Sequence, residues 1–187
     1  MRVPLELRRA YKLLNHGPTT LVTSAAQGRT NVMAAAWAMP IDFEPPKVAV
    51  VIAESTFTRE LVDASGELTL CVPTRAQLDA VYVAGSIAGR DEDKWAASGL
   101  KAVPASRVKA PLVEGCVGWL ECRVIPEPEN QRKYDLYIAE VVAAWVEDSV
   151  WKDGGWDFSA SDAYRPIHHL AGGVFFATGE RVQARKP

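Results

Sequence analysis

Seven consecutive residues near the start of this 187-residue chain are suited to contact with a flat ligand. Alanine has a low preference for β-strands, yet three alanines occur in a row here. Such small side chains let a planar molecule approach the main-chain N–H and C=O groups, as an isoalloxazine ring with its donor and acceptor edge would require. A close-packed strand inside a barrel is the alternative interpretation. The segment consists of Asn31, Val32, Met33, Ala34, Ala35, Ala36 and Trp37.

A second candidate segment carries three hydroxyls, on Ser55, Thr56 and Thr58, between an apolar strand and the start of a helix. The N-terminus of a helix offers free N–H groups and the positive end of its dipole, and hydroxyls add donors. A phosphate monoester is therefore a natural guest at this turn. Ordinary capping of the helix by serine or threonine is the alternative.

A third segment combines Gly89, which permits a tight turn, with the positive charges of Arg90 and Lys94 on a short helix. Either cation could contact the same phosphate. The alternative is a solvated surface helix with internal ion pairs, because acidic residues flank both cations.

Other kinds of catalytic or metal site find little support in the sequence. It has no nucleophile elbow, P-loop, zinc-protease motif or dinucleotide-binding glycine motif. Its histidines are His16, His168 and His169. The last two are adjacent, and adjacent residues on a strand point to opposite faces, so we expect no metal site.

Three cysteines, Cys71, Cys116 and Cys122, lie in apolar runs without any CxxC pair. An odd number without pairing argues against a disulfide framework or a zinc site. Small buried hydrophobic side chains are the simpler interpretation.

Composition and charge exclude several classes of protein. Hydrophobic residues make up 48% of the chain, enough to bury the core of one domain spanning residues 1–187. The net charge is -2 with no basic stripe, so we expect no nucleic-acid binding. No apolar stretch could span a membrane, and the charged N-terminus does not resemble a secretory signal, which makes the cytoplasm the expected location.

The elements that must position these segments are mostly short strands joined by tight turns. We predict strands at 19–24, 31–37, 48–53, 68–72, 117–125 and 135–146, the last two forming a hairpin linked by a polar loop at 126–133. Helices are predicted at 4–14, within an N-terminal unit of residues 1–14, and at 58–64, 74–83 and 91–97. The helices do not alternate regularly with the strands, which favours an antiparallel barrel. The tail, residues 149–187, is expected to pack on the barrel or on a dimer partner.

Taken in order, these segments resemble the flavin reductase-like family, which includes the flavoredoxins. The resemblance covers about residues 15–178, and its strength lies in the order of its many short matches. The matching segments are 21–24, 28–33, Trp37, 43–50, 55–61, 65–67, 71–73, 88–94, 138–141 and 169–173.

The resemblance implies a mainly β fold, an antiparallel Greek-key split β-barrel with a few short flanking helices, that binds FMN. Residues 31–37 would line the flavin ring and ribityl chain, and the hydroxyls of Ser55, Thr56 and Thr58 would hold the phosphate with the help of Lys94. Gly89 and Arg90 would lie beside them. Tyr134 stands where many relatives have a histidine near the flavin. A phenol can stack or hydrogen-bond but does not titrate near neutral pH.

The resemblance also implies an FMN-dependent oxidoreductase that takes hydride or electrons from NAD(P)H and passes them to a small acceptor or a partner protein. Because the flavin carries that chemistry, no catalytic side chain is expected. Family members are usually homodimers with the flavin near the subunit interface. Two alternatives remain open: an electron-carrier module without NAD(P)H turnover, and a split barrel that has lost its flavin.

Overall fold

The computed structural model describes residues 1–185, and an eight-stranded antiparallel sheet dominates it. The strands of this sheet are β1 (Arg2–Pro4), β2 (Thr20–Ala26), β3 (Arg29–Ala35), β4 (Ala38–Phe43), β5 (Pro46–Val51), β6 (Glu67–Val72), β9 (Gly118–Ile125) and β10 (Leu136–Glu147). Three two-stranded hairpins complete the β-structure: β7 (Ala102–Val103) with β8 (Leu112–Val113), β11 (Trp151–Lys152) with β12 (Gly155–Trp156), and β13 (Ile167–Ala171) with β14 (Val174–Ala177).

The sheet is split and does not close into a barrel. Its strand order is β3-β2-β6-β9-β10-β5-β4, with β1 added beside β10. Strands β5 and β6 follow each other in the chain but are separated in the sheet by β9 and β10, so the chain crosses over between them. Within residues 1–185, no pairing joins β3 to β4, and both strands are edges. The predicted fold class, mainly β with a split antiparallel barrel, is confirmed.

Four short α-helices flank the sheet: α1 (Phe57–Ser65), α2 (Leu78–Ser86), α3 (Lys94–Ser98) and α4 (Pro128–Tyr134). Helix α1 begins at the N-cap Thr56 and ends at Gly66, whose φ of 67° is the left-handed conformation that glycine adopts readily. Before α2, which overlaps the segment predicted as a helix at 74–83, Thr74 and Gln77 form a capping box. Helix α1 packs on β2 and β3, and α2 packs on β3. Along the described chain, each helix is too short to cross a lipid bilayer.

Two apolar clusters lie on opposite sides of β3 and so fix the direction of its side chains. The main cluster contains Ala35, with Met33 packed against it. The second cluster, under α2, contains Val32, with Ala34 packed against it. Alternation along the strand therefore places neighbouring residues of the alanine-rich segment on different faces.

Two of the predicted elements, at residues 4–14 and 126–133, need correction. The predicted N-terminal helix at 4–14 is a 3₁₀-helix at Leu7–Leu13, and the residues before it form β1. Pairing of β1 with β10 outweighs the local helix preference here. The Leu5 N–H extends this pairing by donating to the Ala144 carbonyl. The predicted polar loop at 126–133 contains α4, whose sequence signals are proline in its first turn and basic residues in its last.

Part of the C-terminal tail packs into the core. Trp156 stacks on Phe158 with ring centroids 5.2 Å apart, and its indole N–H donates to the Lys12 carbonyl. Both aromatic residues pack with the main cluster. The hairpin of β13 and β14 lies farther along the chain, against Thr19, the residue before β2. Residues 186–187 of the predicted tail lie outside the described residues.

A buried carboxylate, Glu121 on β9, anchors the loop that follows β7. It accepts hydrogen bonds from the N–H groups of Ser106 and Arg107, from the Ser106 hydroxyl and from the Trp145 indole N–H. Burial alone would raise the pKa of the Glu121 carboxyl, but these hydrogen bonds outweigh burial and the net pKa is lowered. The ionised form is therefore the one that the fold stabilises.

Glu121→Gln is expected to lower the free energy of unfolding by about 2–3 kcal/mol at neutral pH. An amide oxygen accepts hydrogen bonds more weakly than a carboxylate, and the amide NH2 group would face the N–H and O–H groups that donate to Glu121. A carboxyl whose pKa is lowered by folding contributes stability above its unfolded value, about 4.3, and loses it as pH falls through the folded value. Urea unfolding of the wild type should therefore show an acid-dependent loss that the variant lacks. Glu140→Gln, on an exposed side chain of β10, is the matched control. Equal stability of the two variants would contradict the role given to Glu121.

Candidate functional site

The alanine-rich segment lies at an edge of the sheet, facing helix α2. Because β3 pairs only with β2 among the described strands, alternate main-chain groups on its outer side have no sheet partner. Helix α2 approaches this strand very closely at Gly85, where an added Cβ would lie 3.2 Å from the Ala34 Cβ. Gly85, Ser86 and Ala34 together form a narrow bridge of small side chains between strand and helix.

A first cleft of about 300 Å³ opens on one side of this bridge. Its floor is built from Asn31, whose amide donates to the Thr58 hydroxyl at 2.8 Å; both side chains are buried. An added Cβ on Gly89 would lie 2.3 Å from the Asn31 side-chain oxygen, so only glycine fits here. The lining consists of Asn31, Met33, Ala34, Ser55, Thr56, Phe57, Thr58, Ala84, Gly85, Ser86, Ile87, Ala88, Gly89, Arg90 and Lys94.

The N-terminus of α1 opens into this first cleft. The Thr56 hydroxyl accepts from the Arg59 N–H and donates to the Ala53 carbonyl, so the capping interpretation holds for this residue. The N–H groups of Phe57 and Thr58, in the first turn, have no partner within the helix. Arg90 donates to the Ser55 carbonyl and pairs with Glu60, which holds the turn closed.

Lys94 is a buried cation at the opposite wall of the first cleft. Its residue is 7% exposed, and its ammonium donates to the Ala84 carbonyl at 2.7 Å. Within residues 1–185, no carboxylate lies within ion-pair distance of it, so the predicted alternative of internal ion pairs does not apply. Burial lowers the pKa of the Lys94 ammonium. A buried, unneutralised cation with donors to spare favours an anionic guest.

A second cleft of about 140 Å³ continues on the other side of the bridge. It is largely apolar and aromatic, and the C-terminal hairpin forms its far wall. Its lining consists of Thr19, Ala34, Ala35, Ala36, Val81, Tyr82, Gly85, Ser86, His169 and Phe175.

The two clefts form one groove, because Ala34, Gly85 and Ser86 line both. From Asn31 to Ala36 the strand spans about 16 Å. Cationic and hydroxyl groups stand at one end, and small and aromatic side chains at the other. The groove is therefore suited to a ligand with an anionic group at the Lys94 end and a flat, largely apolar group against the alanines.

A third and larger cleft of about 610 Å³ lies at the β2–β3 turn, between Ala26 and Lys109. Its lining carries two cations, Arg29 and Lys109, and one carboxylate, Glu67, and it lies apart from α2 and the hairpin. Size alone would favour this cleft, but both of its cations are exposed to solvent, whereas Lys94 is buried.

Three residues of the predicted site lie outside the groove of the single chain. The Val32 side chain is fully buried in the second apolar cluster, so only its main chain is available to a ligand. Trp37 follows the strand and is exposed, and Tyr134 is exposed at the end of α4. Neither side chain lines either cleft. The other predicted site residues line one cleft or both.

Sequence reasoning missed the side of the groove formed by α2 and the hairpin. Gly85 and Ser86, a pair of small residues in the last turn of α2, gave only a weak signal. His169 and Phe175 lie more than 130 residues from Ala34 in the chain. The rule that adjacent histidines point in opposite directions could have indicated that one of them faces a ligand.

The described residues also show where the thiols and the potential metal ligands lie. No group of three histidine, cysteine or acidic side chains in residues 1–185 is placed to hold a metal ion. All three cysteines are buried and unpaired by disulfides. Burial, the largest cause, raises the pKa of the Cys122 thiol. Burial also acts to raise the pKa of the Cys71 thiol, but hydrogen bonds with Cys116 and Thr69 outweigh it, and the net pKa of Cys71 is lowered.

Known proteins with similar sequences and structures share this architecture. The chain matches the flavin reductase like domain family over residues 14–159. It is 43% identical to the protein YddH of Escherichia coli (strain K12), with 97% of each chain covered.

Two solved structures extend the comparison. An FMN-binding domain of a flavin reductases-like enzyme from Shewanella baltica OS155 superposes with a TM-score of 0.96 and 44% identity, covering 99% of this chain and 98% of the other. The flavoredoxin of Desulfovibrio vulgaris (Miyazaki F) gives a TM-score of 0.79 with 29% identity and 90% of each chain covered. The chain therefore belongs to the flavin reductase-like domain family, with the fold of its FMN-binding and flavoredoxin neighbours.

Proposed function

We propose that this protein binds FMN in the groove between β3, α1 and α2 and works as an oxidoreductase of the flavin reductase or flavoredoxin type. It would take hydride or electrons from NAD(P)H and pass them to a small acceptor or a partner protein. The observation that carries the proposal is the buried ammonium of Lys94, which has no carboxylate partner among residues 1–185 and faces the N-terminus of α1 across a cleft.

The residues of the groove have separate tasks in this proposal. Lys94, the Ser55 hydroxyl and the first N–H groups of α1 bind the phosphate, and Arg90 holds the turn in place. Asn31, fixed by Thr58, lies below the linking chain. Ala34 and its neighbours let the ring reach the main chain. A bound flavin supplies the exchange of a hydride or of single electrons, and the protein positions it and controls access.

Absorption spectroscopy of the purified protein tests this proposal directly. We expect a flavin spectrum, with FMN as the flavin released on denaturation, and anaerobic bleaching of that spectrum by NADH or NADPH. A yellow protein that neither nicotinamide bleaches would instead identify an electron-carrier module. A colourless protein that does not bind added FMN would overturn the proposal.

An exposed apolar stripe beside the groove supports a homodimer. Alternate residues on edge strand β4 and just before it leave large apolar side chains in solvent, with Trp37, Met39, Ile41 and Phe43 exposed by 74, 57, 41 and 62%. Such a stripe on a sheet edge is a surface that proteins usually cover. Because Trp37 directly follows Ala36 of the second cleft, a partner on this stripe would border the groove.

Met39→Asp is expected to convert the dimer to a monomer, because the charge would be buried without a partner in the interface. Light scattering coupled to size-exclusion chromatography measures the mass. Val182→Asp, at an exposed position outside the stripe, should leave the mass unchanged. A Met39→Asp protein with the mass of the wild type would show that the stripe is not the dimer surface.

A further inference from the structure

The two adjacent histidines of β13 have different surroundings. His168 is fully engaged: one ring nitrogen lies 3.0 Å from the Gly17 carbonyl and the other 3.0 Å from the Thr178 hydroxyl. Its ring also packs edge-on against His16 at 5.5 Å. These contacts join the hairpin to the turn before β2, so His168 is a structural residue.

His169 points the other way and lines the second cleft. Its main-chain N–H donates to the Thr19 hydroxyl, and its ring lies 5.0 Å from that of Phe175. Neither ring nitrogen of His169 has a hydrogen-bond partner among residues 1–185. The backbone is thus held in place while the imidazole remains available to a ligand.

His169 is also the side chain of the second cleft that offers a ring N–H donor without a partner in the described part of the chain. The Tyr82 phenol is another polar group of the lining, and the remaining side chains there are apolar or hydroxyl-bearing. His16 and His168 lie on the opposite face of the hairpin. Burial, followed by the nearby His168, lowers the pKa of His16 to about 4.

We propose that His169 is a binding residue for the ring of the flavin, donating a hydrogen bond to its carbonyl and nitrogen edge from the end of the groove opposite Lys94. This inference rests on the proposed function. It identifies the recognised group as a planar heterocycle with acceptors on one edge.

Riboflavin is the probe that isolates this contact, because it lacks the phosphate that the Lys94 end of the groove would bind. Fluorescence quenching gives its Kd with the flavin-free protein. His169→Gln, which keeps an N–H donor, should bind riboflavin within about twofold of the wild type. His169→Leu, which removes the donor, should weaken binding about fivefold to tenfold.

His168→Gln is the matched control, since it changes the neighbouring imidazole on the other face. It should lower the melting temperature while leaving riboflavin affinity within about twofold of the wild type. Equal riboflavin affinity of the wild type and His169→Leu, or an equal loss of affinity in His169→Gln and His169→Leu, would overturn the role of His169 alone. A wild-type protein that binds neither riboflavin nor FMN would overturn the proposed function as well.

Discussion

Lys94→Met is expected to weaken FMN binding by about 10- to 150-fold while leaving riboflavin binding within about twofold. The substitution removes a charge-assisted hydrogen bond to the phosphate, worth about 1.5–3 kcal/mol, and each 1.4 kcal/mol is tenfold in Kd. Because Lys94 lies at the phosphate end of the groove, the ring should be unaffected. Isothermal titration calorimetry with the two flavins measures both effects.

The ligand-free Lys94→Met protein should unfold at about the same temperature as the wild type. Its ammonium is buried without a carboxylate among the described residues, so removing the charge also removes a desolvation cost. Lys101→Met, at an exposed lysine, is the control for a loss of net charge. If Lys94→Met weakened FMN and riboflavin equally, Lys94 would not be a phosphate ligand.

The pH dependence of FMN binding gives a second measure of Lys94. Burial lowers the pKa of its ammonium. An anion binds the charged form, so FMN affinity should be full where Lys94 is protonated and should fall as pH rises through its lowered pKa. The decrease should therefore begin below the value of about 10.4 that is usual for lysine. Lys94→Met should lose this decrease and keep a flat profile in the same range.

Ala34→Leu is expected to abolish flavin binding while the protein remains folded. Ala34 lines both clefts, and its Cβ lies close to the backbone of Gly85, so a larger side chain must extend into the groove. Overpacking of this kind costs about 1–3 kcal/mol of stability, which most domains tolerate. The ratio of flavin to protein absorbance measures the loss, and circular dichroism verifies the fold.

Ala26→Leu is the matched control, because it adds the same atoms to the larger cleft at the β2–β3 turn. That variant should keep the flavin content of the wild type. Ala35 is a poorer choice for the test, since its methyl group packs into the main apolar cluster. Normal flavin content in Ala34→Leu, or its loss in Ala26→Leu, would place the ligand outside the proposed groove.

The sequence by itself determined the local elements and the chemical character of both ends of the groove. Strands β2, β3, β5, β6, β9 and β10 correspond to those predicted at 19–24, 31–37, 48–53, 68–72, 117–125 and 135–146, and α1 corresponds to the helix predicted at 58–64. The sequence signals for these elements are local, since they depend on backbone conformation and on contacts within one turn. The hydroxyls at residues 55–58 and the alanine run were visible for the same reason.

Only the tertiary structure decided which of these groups face the same groove. The crossing of the sheet brings Lys94 opposite α1 and leaves it buried beside the Ala84 carbonyl, although its acidic neighbours in the sequence suggested a solvated ion pair. The alternation of β3 turns Val32 into the core, and the hairpin of β13 and β14 adds His169 from the far end of the chain. Burial, desolvation and side-chain direction depend on which elements pack together, and no local pattern of residues encodes that packing.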